Sequence, residues 1–245
     1  MAVARVLRSL HIYDILANLL PGSMLLVVIM ATVRVEEYLG SLSSGVLVAV
    51  FLVVGFIAGH IIQAFASRLN GKPRLFGLLV ADMRGTNPYD PGGTFEFLPP
   101  RLRSWLGFKR CTLSDLHVTE VEQEFWPLAK EQFDLAHEFE HHGRLMQLVL
   151  SYLESGPATR ALRFQSIHTF HRSMWGMWFV SLIFVAGIWI GSFWSLVPVR
   201  STAILGLIFM LSLVGVWTFG KRKEKFNRKV VEYTIIDFYT QQKSQ

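Results

Sequence analysis

Four long apolar runs, at residues 15–33, 45–66, 174–194 and 202–219, constrain this chain more than any other feature. Each has about 18 to 22 residues, and a helix rising about 1.5 Å per residue needs about 20 to cross a ~30 Å hydrocarbon core. None contains Lys, Arg, Asp or Glu, each of which costs about 2.5–3.5 kcal/mol at the centre of a bilayer. A mean hydropathy of +0.37 and the wide spacing of the runs fit membrane helices better than the buried helices of a large water-soluble core. The expected fold class is an all-α membrane protein: four transmembrane helices in two hairpins, with a mainly helical cytoplasmic insert domain.

Basic residues near the run ends set the orientation. The N-terminal tail carries Arg5 and Arg8, and the short connectors hold only Arg34, offset by Glu36 and Glu37, and Arg200. Residues 67–173 hold thirteen Lys and Arg against twelve acidic residues, and the tail after residue 219 holds seven more basic residues. Basic segments stay on the cytoplasmic side of the membrane. Both termini and the middle region are therefore expected in the cytoplasm. The first run lacks a small-residue cleavage site and reads as a retained span. The single cysteine, Cys111, has no intrachain disulfide partner, which fits a reducing compartment. The net charge of +6 sits largely beside the membrane, at Lys221, Arg222, Lys223, Lys225, Arg228 and Lys229. This placement favours anionic lipid headgroups over nucleic acid as the partner of the tail.

The chain divides at these signals into residues 1–66 (tail and first hairpin), 67–173 (cytoplasmic domain), 174–219 (second hairpin) and 220–245 (basic helical tail). Within the cytoplasmic domain, residues 67–112 are rich in Gly, Pro and Asn and read as loop-dominated, with one short helix or strand expected at Leu75–Ala81. Residues 113–173 read as helical: Phe125, Ala129, Phe133, Ala136, Met146, Leu150 and Leu153 recur at spacings of three and four, with a weak stretch around His141 to Gly143. Ser155-Gly156-Pro157 then breaks the helix. A new one is expected from near Ala158 straight into the third run, and the tail is expected to extend the fourth run. Phe226, Val230, Ile235 and Phe238 are then available to pack on the middle domain.

Several residues inside or beside the runs stand out. Asp14 and Asn18 are four apart and share a helix face near the inner interface. Pro21-Gly22 predicts a kink or a fresh helix start, because proline lacks an N–H and clashes with the preceding turn. Gly55 and Gly59 form a small-xxx-small spacing that permits close helix approach. His60 and Gln63 are polar at membrane depth, so they line a polar path or bond a neighbouring helix. Trp175, Trp178, Trp189, Trp194 and Trp217 fall mostly near run ends and read as interface anchors.

Two motifs suggest chemistry. His137-Glu138-Phe-Glu140-His141 matches the zinc-protease pattern His-Glu-x-x-His, in which two imidazoles one helical turn apart hold a metal and the glutamate activates its water. A third ligand has to come from Glu154, His168 or His171. Glu140 sits where such helices carry an uncharged residue, and the plain alternative is a solvated helix face with four-residue pairs such as Glu138 and His142. Arg163 and His168 match the arginine-x4-histidine signature of HEPN-type ribonucleases, but Phe164 stands where a polar residue is usual.

The opening Asp14-Ile-Leu-Ala-Asn18-Leu-Leu-Pro21-Gly22 and the Arg160-Ala-Leu-Arg163-Phe…Phe170-His-Arg172 run-in to the third span resemble a loose group of uncharacterised bacterial membrane proteins. Four-span proteins of this type, with a cytoplasmic insert, occur among antiviral-defence and CRISPR-accessory membrane effectors. The resemblance covers the runs and their flanks and implies a homo-oligomeric effector or sensor of the bacterial inner membrane. The expected function is non-enzymatic and without cofactor: a cytoplasmic event controls membrane integrity or ion passage. Two alternatives remain open, a membrane-tethered zinc hydrolase and a membrane scaffold recruiting a soluble cytoplasmic protein.

Overall fold

The structure is a computed structural model and describes residues 12–33, 43–70, 76–77, 79–80, 99–106, 121–136, 139, 141–156, 160–192 and 201–244. Its elements among these are all helices: α1 Ile12–Thr32, α2 Ser44–Asn70, α3 Pro100–Trp105, α4 Val121–Gln132, α5 His142–Ser155, α6 Arg160–Ser192 and α7 Thr202–Lys243. Three of these, α2, α6 and α7, are long and apolar enough to cross a membrane. α1 has 21 residues, about 32 Å at ~1.5 Å per residue, and its described side chains form the apolar stretch Ala17–Thr32. The helix runs through Pro21 without ending, so the expected fresh start is not seen. Only one backbone bond is forfeited there, and apolar helices tolerate that loss.

The chain forms two compact units. The first contains α1, α2 up to Leu69, α6 from Thr169 onward and α7 up to Lys223. Its core has two clusters. One joins Val28 of α1, Val185 and Ile188 of α6, and Leu205 and Ile208 of α7. The other joins Ile62 of α2 with Met174 and Met177 of α6, flanked by Met24, Leu25 and Phe219. Two buried hydroxyls bond within their own helices: Ser212 Oγ donates to the Ile208 carbonyl at 2.8 Å and Thr32 Oγ1 to the Val28 carbonyl at 2.9 Å. Internal bonding of this kind lets an apolar environment accept a polar side chain.

The second unit contains α4, α5, the first turns of α6 and the end of α7 from Glu224. The basic tail is thus no separate appendage: Val230, Val231, Ile235 and Phe238 lie in one core with Phe125, Ala129, Leu145, Val149 and Leu153. Phe238 is fully buried, with the rings of Phe125, Tyr152 and Phe133 around it at 5.4, 5.5 and 5.9 Å. These separations suit edge-to-face and offset aromatic packing.

The helix expected before the Ser155-Gly156-Pro157 break, with its weak stretch around His141 to Gly143, is interrupted earlier, after Gln132. α4 ends at Gln132, and Asp134 adopts a left-handed conformation at φ 47. The Leu135 N–H donates to the Lys130 carbonyl at 3.0 Å and the Asp134 N–H to the Glu131 carbonyl at 3.4 Å. This pair of bonds is a Schellman closure, which consumes the last carbonyls of the helix. Glycine normally occupies the left-handed position, so the apolar spacing alone carried no stop signal. α5 restarts at His142 without a side-chain cap from His141.

Candidate functional site

Within the first unit, glycine determines which of the highlighted residues meet. A Cβ on Gly22 would run into the Gly55 carbonyl oxygen, and one on Gly59 into the Asn18 carbonyl oxygen. A Cβ on Gly55 would stand 2.8 Å from Ser23 Oγ. α1 and α2 therefore touch backbone to backbone, as small residues allow. One turn further along α2, Gly176 of α6 approaches Ala66 and Ile62. The covered face of α2 is Gly55, Gly59, Ile62 and Ala66, all buried.

The polar residues separate across this face. Asn18 is buried, with its backbone against Gly59. His60 is exposed and Gln63 half-buried. At 100° per residue, His60 sits about 130° around α2 from the centre of the covered face, and Gln63 about 70°. Asn18 and His60 consequently do not share one path within the chain. The His60 ring packs edge-on against Phe56, with centroids 4.4 Å apart. Its Nδ1 lies 3.0 Å from the Phe56 carbonyl oxygen. A carbonyl only accepts, so Nδ1 carries the proton, and Nε2 of the neutral ring is left as an acceptor. The side chain of Asp14 lies outside the described residues.

A second constellation forms around Trp175, which is fully buried and not the interface anchor its position suggests. Its Nε1–H donates to the Leu106 carbonyl at 2.9 Å, its ring stacks on Phe179, and Lys223 Nζ lies 3.9 Å from the ring centroid. Lys223 is only 4% exposed, so it turns inward instead of joining the headgroup-facing residues. A desolvated cation over an indole face is attracted by about 2 kcal/mol. Lys221, Arg222 and Lys225 remain exposed, with Lys221 Nζ 4.1 Å from the Trp217 ring centroid. Arg228 is half-buried. Lys229 lies over Phe164 and Tyr233 in the second unit.

The motifs of the second unit occupy different settings. His137 and Glu138 lie outside the described residues. His141 is exposed and, like Leu135, Ala136 and Phe139, lies outside the helices. Glu154 is exposed on α5. His171 is buried in the first unit between Phe170 and Phe219. Arg163 is exposed and His168 half-buried on the uninterrupted α6; five residues apart, they point about 140° away from each other.

One polar pair in the second unit had no sequence signal. Asp237 of α7 accepts from Arg160 Nε and a terminal guanidinium nitrogen at 3.2 and 3.1 Å, and from the Ala161 N–H at 2.8 Å. A carboxylate 76 residues along the chain thereby caps the first turn of α6, where unbonded N–H groups and the helix dipole favour negative charge. Comparison with protein-family models, curated proteins and solved structures finds no match.

Proposed function

We propose that the chain is a multi-pass protein of the bacterial inner membrane, crossing it four times as two hairpins with both termini in the cytoplasm. It acts without enzymatic chemistry, as an oligomerising effector or sensor whose cytoplasmic domain controls membrane integrity or ion passage. The observation that carries this reading is helix continuity. α6 belongs to the second unit up to His168 and to the first from Thr169, and α7 changes unit between Lys223 and Glu224 without a break. A change in the charged unit thus reaches the apolar one along two helices. α1, 21 residues long, supplies the fourth span. A role in antiviral defence belongs to the same reading and rests on the resemblance.

The test perturbs the domain and reads the membrane. Placing a charge in the second core through Ile235→Asp should change the membrane potential of expressing cells, followed with a voltage-sensitive dye, relative to the wild-type chain at equal abundance. Identical potentials would reject control of the membrane by the domain. Reporter fusions at the termini and in the two connectors should place only the connectors outside.

A further inference from the structure

We infer that the His60 face of α2 is the surface on which a second copy of this chain packs, with His60 and Gln63 bonding across it. This deepens the membrane reading above and rests on it. Only 17% of the most apolar window of α2 is buried within the chain. Val53, Val54, Phe56, Ile57 and Ile61 on its uncovered sides are exposed, and lipid is a sufficient partner for all of them. His60 differs. It lies three residues from Ile57, the midpoint of α2, about 5 Å along the axis, and ionisable groups at such depth avoid lipid.

The geometry selects the occupant. His60 Nδ1 is taken by the Phe56 carbonyl, so Nε2 needs an outside donor. Gln63, one turn away and about 60° around the helix, carries an amide that donates. All copies of one chain insert in the same direction, so each residue meets its counterparts at equal depth. Packing about a two-fold axis then sets His60 of one copy within a turn of Gln63 of the other, and the reverse. An acyl chain offers no donor, and an unrelated protein needs one placed at that depth. Gly45 and Ala49 continue the same side of α2; both are exposed, and nothing lies within 4 Å of a Cβ built on Gly45. Close approach is open there too.

Single cysteines placed in a Cys111→Ser background and oxidised in native membranes test the surface, since a disulfide reports Cβ atoms about 4 Å apart. Ala49→Cys and Phe56→Cys should give dimers. Combining Ala49→Cys with His60→Leu and Gln63→Leu should lower the dimer yield several-fold, whereas His60→Asn, which keeps a polar side chain, should preserve it. Dimers through Gly187→Cys on α6 alone would overturn this surface and leave the oligomer reading intact. A monomeric mass with no cross-link from any position would overturn both. A yield unaffected by the two leucines would remove His60 and Gln63 from the contact.

Discussion

Asp237 and Asp134 serve opposite helix ends, the first through its carboxylate and the second through its backbone. Asp237 satisfies an otherwise unbonded helix start and an arginine from a buried position. Replacing it, Asp237→Ala, should destabilise the protein by about 1–3 kcal/mol, because capping and charge-assisted bonds are lost together. The melting temperature of the detergent-solubilised protein checks this, and Arg160→Ala should cost less, since that side chain is 59% exposed. Asp134 instead occupies a backbone region that glycine fills more comfortably. Asp134→Gly should raise stability by about 0.5–1 kcal/mol and Asp134→Val should lower it by at least as much. Equal melting temperatures for all three residues at position 134 would refute the helix-stop assignment.

At the scale of elements, the described glycines of the first unit differ in what they meet, and Gly176 and Gly215 lie against neighbouring side chains. Those at 22, 55 and 59 are points of backbone contact, while Gly187 and Gly206 face open space. Gly59→Val should push α1 from α2 and cost about 1–3 kcal/mol, the usual penalty of overpacking. Gly206→Ala should be close to neutral in the same melting assay, or slightly stabilising because alanine is the better helix former. This division was half legible beforehand. The four-residue spacing of Gly55 and Gly59 marks close approach, but Gly187 and Gly191 share that spacing, and only the packing shows that Gly187 is open. The end of α4 was not legible, because its stop is an aspartate, inside an apolar pattern that continues beyond it.

For the molecule as a whole, the tail decides whether the second unit exists. Ending the chain at Lys223 removes Val230, Val231, Ile235 and Phe238 from the core. Losing large core side chains costs about 2–5 kcal/mol each, against a total stability of about 5–15 kcal/mol for a domain. The truncated protein should still reach the membrane, and its middle region should be degraded by limited proteolysis where the full chain resists. The sequence by itself determined the apolar runs, the helical class and the amphipathic tail, because hydropathy and periodicity are properties of neighbouring residues. It did not determine that Lys223 turns under Trp175, that Asp237 caps α6, or that Asn18 and His60 part company around α2. Those outcomes depend on which helix faces meet, and a contact between residues far apart in the chain leaves no local pattern to read.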